Sequence, residues 1–470
     1  MKFIRNNFIN IVEILWLISF FITLTIFFSS CESFVDVDVP DSQLTGESVF
    51  QDKATAEAAL VNIYGRLRNN VLVTGDLNGL SILLGSYGDE LAYYSNGSLP
   101  EEAFFKNNLL PSNTTVTGTW NDSYNLVFAA NAVLEGVDRS TGISQNDKNQ
   151  LKGEALFVRS YIHFYLLNLF GEIPYITSTA YQVNAKAKKL SQEILYPLLI
   201  TDLKTAETLL PANYIGGERV RPNRTVAEAF LARVQLYASN WEAAEIASNL
   251  VINNTATYAL QDDLDKVFLK NGTSTLWQLK PQGDGQNTLE GQNFIFASGP
   301  PPNRALTVDL SNAFETGDQR KNHWIGTVSD GTQNWYYPNK YKQNNNTGSS
   351  AEYSILFRLE EVYLIRAEAR AQQGNSIGAK EDLNKIRNRA GLANTTANTK
   401  QEILEAILQE RRVELFTEQG QRWFDLKRSG QSNPVLSAIK PGWNTTDILW
   451  PLPETELLLN SNLLPQNPGY

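Results

Sequence analysis

The chain is nearly devoid of the side chains that carry out redox, metal and nucleophilic chemistry. Among 470 residues there is one cysteine, Cys31, one methionine and two histidines, His163 and His323. One thiol cannot form an internal disulfide, so the fold must rest on its core alone. No His/Cys cluster has zinc-ligand spacing and no phosphate-cradling glycine loop occurs, and the one Gly-x-Ser-x-Gly string, Gly374-Asn375-Ser376-Ile377-Gly378, joins two helical stripes rather than the strand and helix of a nucleophile elbow. The expectation is therefore no metal, no cofactor and no enzyme. Basic residues are also scarce, 40 against 50 acidic for a net charge of −10. That balance lacks the electropositive footprint of a nucleic-acid binder. Long apolar runs are absent too, with one exception at the amino terminus, and a bilayer span needs about 20 such residues.

The exception is informative. Lys2 and Arg5 precede an apolar segment, Ile11–Phe28, which ends in Phe28-Ser29-Ser30-Cys31. A basic start, an apolar centre and a small-residue exit form the pattern of a secretory signal. The sole cysteine directly behind it resembles a bacterial lipobox, which implies lipid attachment at Cys31. Residues 1–30 are read as signal peptide and 31–43 as a lipidated tether, since Glu32–Gln43 has no helical period.

Aromatic residues are plentiful: 9 Trp, 19 Tyr and 22 Phe. Aromatic faces beside amides suit sugars, which offer a C–H face to stack on and hydroxyls to bond. Most of the chain nevertheless reads as helix. Lys53–Arg68 carries Ala56, Ala59, Leu60, Ile63, Tyr64 and Leu67 at three-four spacing, a single apolar stripe. Similar stripes recur at 121–137, 149–170, 192–210, 226–237, 241–252, 356–372, 379–389 and 400–416. Two pairs look alike. Ala227–Tyr237 is followed by Ser239-Asn240-Trp241, and Tyr363–Gln373 by Gly374-Asn375-Ser376, each a helix, a tight polar turn and a second helix. The pairing is similar to degenerate tetratricopeptide repeats. The expected fold is mostly α: tetratricopeptide-like helix pairs forming a scaffold, with long loop-rich insertions and minor short strands. The insertions are Val71–Thr119 and Thr255–Tyr353, and loops of that length are usually functional.

The carboxy-terminal third carries a family resemblance. Leu356–Ala369, Asp382–Leu392, Gln409–Leu415, Gln421–Arg428, Leu449–Glu454 and Asn462–Tyr470, with Gly153–Tyr161, Phe170–Pro174 and Asp202–Ala206 upstream, resemble in order the SusD/RagB family of outer-membrane nutrient-binding lipoproteins. One departure is Gln419, which stands between Glu418 and Gly420 where many members have Glu directly before Gly. On this resemblance residues 44–225 form the amino-terminal and 226–470 the carboxy-terminal region of one body. It implies a surface lipoprotein of the outer membrane, lipid-anchored, that captures oligosaccharide and delivers it to a SusC-like TonB-dependent transporter barrel. The alternatives are a peptide-capturing member of the same family and a helical-repeat scaffold without a small ligand.

The candidate ligand contacts lie in the two insertions: Tyr93, Tyr94 and Asn96 in the first, and Trp324, Trp335, Tyr336 and Tyr337 in the second. Trp335 and Tyr336 are the expected stacking platform, because three consecutive large aromatics cannot all face one core. Asp89-Glu90 and Glu101-Glu102 read as solvated or capping charges rather than an acid–base pair. Glu410, Arg411, Arg412 and Glu414 have the spacing for pairing within one helix. Arg422 and Asp425 are expected to pair around the aromatic plug Trp423-Phe424. Trp450-Pro451 and Asn467-Pro468 cannot continue helices and should strap the tail across the body.

Overall fold

Helix starts are set by short polar side chains that accept otherwise unpaired backbone N–H groups. Asp52 caps Lys53–Asn69, Asn113 caps Thr114–Arg139, Ser144 caps Gln145–Phe170 and Asn223 caps Arg224–Tyr237. Thr399 and Glu402 form a reciprocal capping box at Lys400–Glu414. The computed structural model describes residues 48–470 except 96 and 98. Cys31, the tether and Asn96 lie outside the described residues.

The protein is mostly helical, built as a tetratricopeptide-like scaffold. Thr114–Arg139 packs on Gln145–Phe170, and the series continues through Gln192–Leu209, Arg224–Tyr237, Trp241–Ile252 and Leu359–Gln372 to Ser376–Arg389. The repeated turns share one geometry. Ser239 and Gly374 are left-handed, at φ +58° and +85°. The asparagines that follow have nearly equal backbones, Asn240 at −88°/71° and Asn375 at −81°/72°. Their N–H groups donate five residues back, to Gln235 O at 2.9 Å and Arg370 O at 2.8 Å. Each turn thus satisfies the last carbonyls of one helix while reversing the chain into the next.

Six short strands interrupt the helices. β1 is Leu91–Tyr93, β2 Thr275–Leu279, β3 Arg304–Leu306, β4 Ile325–Ser329, β5 Asn334–Pro338 and β6 Ser354–Arg358. β2 and β6 form a buried antiparallel ribbon. Trp277 of β2 stacks on Phe357 of β6 and meets Phe157 and Tyr161 of the long central helix edge-on. Leu356–Arg358 was expected to be helix, but it is the end of β6, and the helix starts at Leu359. Three residues are too few to fix either period, and pairing with β2 decides.

The expected strap is present. Trp450 N donates to Leu169 O at 2.9 Å, and Asn467 Nδ2 donates to Phe170 O and Trp450 O at 2.8 and 2.7 Å. The charge pairings differ from the sequence expectation. Glu410, Arg411, Arg412 and Glu414 pair outside their own helix: Glu410 with Arg320, Arg411 with Asp425, Arg412 with Asp89 and Asp309, and Glu414 with Arg320, Arg358 and Arg389. Arg422 pairs with Asp89, and Asp425 with Arg411 and Arg428, so the two do not clasp each other around Trp423-Phe424. Both aromatics are buried all the same.

Candidate ligand-binding face

Strands β1, β3, β5 and β4 form, in that order, one antiparallel sheet. The sheet joins the two insertions read as functional. β1 comes from the first, the other three strands from the second. The hairpin between β4 and β5 reverses at Gly331-Thr332, bracketed by Asp330 and Gln333, whose backbones bond at 3.3 Å. Asp330 Oδ1 accepts from Thr332 N and Gln333 N, both at 2.8 Å, and Gly331 adopts φ +92°. Asp-Gly between Thr327-Val328 and Trp335-Tyr336-Tyr337 is a hairpin signature that was legible in the sequence and was missed.

Because side chains alternate along a strand, register assigns each residue to a face. Ala92 pairs with Ala305, Val328 with Trp335, and Gly326 with Tyr337. These, with Tyr94, lie on the outer face. Leu91, Leu306 and Tyr336 lie on the inner face, against Ile82, Phe294, Trp324 and Phe416. The outer face carries its own small apolar cluster of Phe296, Ala305 and Trp335, with Tyr94, Val328 and Tyr337 half-buried around it. Small residues make room for the rings. A Cβ on Gly326 would sit 2.1 Å from Tyr337 Cζ, and one on Gly299 would sit 2.0 Å from Trp335 Cζ3. Tyr337 therefore lies flat across Gly326, and its ring centroid is 5.2 Å from that of Phe296.

The expected contacts fall into distinct groups. Tyr94 and Tyr337, one from each insertion, share the outer face and keep part of their surface open. Tyr94 N donates to Asn303 O at 2.7 Å, which fixes the edge of β1 to the loop before β3. Trp335 and Tyr336 point to opposite faces, so they cannot form one platform. Trp335 is 5% exposed, covered at Gly299, and its Nε1 is buried without an acceptor in the protein. It packs beside Tyr94 and Tyr337 and supports them on the same face. Tyr93 is half-buried, and its hydroxyl donates to Gly97 O and accepts from Leu99 N, organising its own loop. Trp324 offers no ligand surface. It is fully buried, with Nε1 donating to Leu264 O at 2.9 Å, and Lys340, Arg358 and Arg389 sit 5.3–5.9 Å from its ring. Phe296, not singled out in the sequence, joins the face by the fold alone.

Beneath the sheet lie buried charges, which corrects the reading of Asp89, Glu90 and Glu101 as solvated. Glu101 holds Arg304 of β3 at 2.6 Å, both fully buried. Burial would raise the Asp89 carboxyl, but Arg422 and Arg412 hold it below its ordinary range. Glu90 forms no ion pair among the described residues, although Arg422 and Lys340 stand near enough to lower its carboxyl in part. Burial, reinforced by Asp89, pushes its carboxyl up to about 8, while its side chain accepts from Thr417 N at 3.1 Å. Folded Glu90 thus keeps a proton that the unfolded chain releases near 4.5, so its contribution to stability is full below that pH and falls as pH rises to about 8. Glu90→Gln, which is neutral throughout, should melt with wild type at pH 5 and above it at pH 9. The gap should reach a few kcal/mol at most, measured by thermal melts across that range.

A separate cleft of about 570 Å³ is lined by Tyr237, Trp241, Glu368, Gln401, Leu408 and Arg428 among others, and shares no residue with the sheet. Its Arg428 is already engaged by Glu368 and Asp425. The outer face of the sheet, with open ring surface, is the better candidate for ligand stacking.

Comparison with known proteins gives the same family in both halves of the chain. A model described as the SusD family matches residues 305–470, and one described as starch-binding associating with outer membrane matches residues 34–236. A SusD-like protein of Formosa agariphila is 28% identical, with 92% of this chain and 95% of that protein covered. A SusD superfamily protein from Bacteroides vulgatus has the same fold, with a TM-score of 0.78 at 23% identity over 89% of this chain and 99% of that one. A laminarin-binding SusD-like protein superposes with a TM-score of 0.74 at 21% identity, over 89% of this chain and all of the other.

Proposed function

Since the chain belongs to the SusD/RagB family, we propose that it is a non-catalytic glycan-binding protein whose outer sheet face receives an oligosaccharide. The observation that carries this reading is the pairing of Tyr94 and Tyr337 on one rigid face, their rings half-open and backed by Phe296 and Trp335. Tyr337 on β5 and Tyr94, tied by its N–H just past β1, hold their spacing without a ligand, so little conformational entropy is lost when a sugar stacks on them. The names of the amino-terminal family model and of the laminarin-binding relative both support a glycan ligand.

The finer reading is that Cys31 carries a lipid, that the body stands on the cell surface at the outer membrane, and that it hands its ligand to a SusC-like TonB-dependent barrel. The family model's association with the outer membrane supports the location.

The test is titration calorimetry against soluble glucans, laminarin and starch fragments among them, beside other glycans and a peptide mixture. Heat with glycans and no hydrolysis products is the expected result. Heat with peptides alone would hand the site to the peptide-capturing reading. Pull-down from native membranes should recover a barrel protein, and recovery of the chain alone would sink the transporter assignment.

A further inference from the structure

One surface has a character opposite to that of the acidic chain and plays no part in the glycan reading. The short helix Tyr181–Asn184 and the segment after it run beside the tail helix Glu454–Leu459 and the residues that follow. Asn460 Nδ2 donates to Ala187 O at 2.8 Å, Asn462 Nδ2 to Lys186 O at 2.9 Å, and Lys189 Nζ to Pro465 O at 2.7 Å. The two segments are held together by polar bonds, while their large apolar side chains face outward. Tyr181, Val183, Leu458, Leu459 and Leu464 are 54–80% exposed, and neither short helix contains a buried residue.

Single exposed apolar residues are ordinary, but five on two adjoining segments are not. A short lysine run stands beside them. Lys186 and Lys188 are exposed, and Lys189 reaches Glu172 at 3.4 Å. The tail helix adds Glu454, which is exposed, and Glu456, which is half-buried one turn before Leu459. Protruding leucines, a tyrosine and a short lysine run are the composition of an interfacial anchor. Leucines enter the acyl boundary, tyrosine sits at the headgroups, and lysines extend to phosphates.

Position supports the same occupant. Glu135, in the last turn of Thr114–Arg139, accepts from Thr179 N and Oγ1 at 2.8 and 2.7 Å, two residues before Tyr181. The next residue, Gly136, is where Phe50 packs, near the start of the described chain. The described chain therefore begins beside the helix end where the first of the two segments starts, while the tail helix begins beside the other end of that helix, where Glu454 N donates to Pro111 O at 3.0 Å. From Cys31 to Ser48 the chain reaches roughly 60 Å at most when fully extended. We propose that this apolar and lysine-bearing surface rests on an anionic lipid leaflet and sets the orientation of the body on the membrane.

The test places an environment-sensitive fluorophore at Leu459→Cys or, as control, at Ile377→Cys, an exposed position on Ser376–Arg389. The full chain is bound to vesicles of phosphatidylethanolamine and phosphatidylglycerol carrying a doxyl-labelled lipid as quencher. Any thiol remaining at Cys31 is common to both proteins, so their difference isolates the site. The label at 459 should be quenched at least threefold more than the label at 377. Lys186→Glu with Lys188→Glu, or phosphatidylcholine vesicles, should reduce that difference by half or more. Equal quenching at both positions overturns the proposal. So does a label at 459 already shielded before vesicles are added, which marks a second copy, or one shielded only when a barrel protein co-purifies, which marks a protein interface.

Discussion

A Glu414→Ala variant should lose about 3–5 kcal/mol of stability, the range for removing one partner of a buried ion pair. Glu414 is fully buried, and its carboxylate receives Arg320 at 2.8 Å, Arg389 at 2.6 Å and Arg358 as well. Burial opposes its ionisation, yet the three guanidinium groups hold it well below the usual carboxylate range. Removing it leaves three cations facing one another away from water. Arg358 would keep Glu418 and Glu360, and Arg389 would keep Glu360. Arg320 would keep Asp318 and Glu410. Partial compensation of this kind places the loss at several kcal/mol rather than at complete unfolding. The control is Glu405→Gln, an exposed position on the same helix, which should change stability by no more than about 0.5 kcal/mol. Urea melts of both decide the matter, and equal midpoints would mean that the network contributes nothing net. The charged residues that mark the family in sequence therefore act as an internal clamp between helix, ribbon and sheet.

The second large effect falls on binding. Tyr94→Ala with Tyr337→Ala should weaken glycan affinity more than tenfold, because each aromatic contact contributes about 1 kcal/mol beyond the area it buries. Both rings are half-exposed on a sheet that Trp335 and Phe296 support, so circular dichroism and melting should barely change. Trp335→Ala is the contrasting case. It removes a side chain that is 5% exposed and should cost about 3 kcal/mol of stability along with affinity. Unaltered affinity in a folded Tyr94/Tyr337 variant would move the site elsewhere, first to the cleft beside Tyr237 and Trp241.

Legibility in the sequence followed the range of the interactions involved. Helices and their turns depend on neighbours three to five residues away, so Lys53–Asn69 and the likeness of Ser239-Asn240 to Gly374-Asn375 could be read directly. The functional insertions were recognised as irregular and aromatic, but not as one sheet, because β1 pairs with β3 across more than two hundred intervening residues. The choice of Trp335 and Tyr336 failed on period. In a strand, adjacent residues part to opposite faces, and the usable partner of Tyr337 was Tyr94. Trp324 was misjudged because nothing local shows that Lys340, Arg358 and Arg389 converge on it. Charge spacing misled in the same way at Glu410–Glu414, where a helical pattern allowed local pairs and distant arginines took the carboxylates instead.

The pairing of β1 with β3 has a consequence in time. Helix pairs such as Arg224–Tyr237 with Trp241–Ile252 close short loops and can form as soon as their residues are free. Tyr93 must wait for Arg304, and Asp89 for Arg422, 333 residues later, before the edge strand is fixed. Closing such long loops is slow, so the helix pairs should form before the aromatic face. Competence to bind ligand thereby comes late in maturation, and a chain interrupted before its last helices should keep its helix pairs yet be blind to sugar.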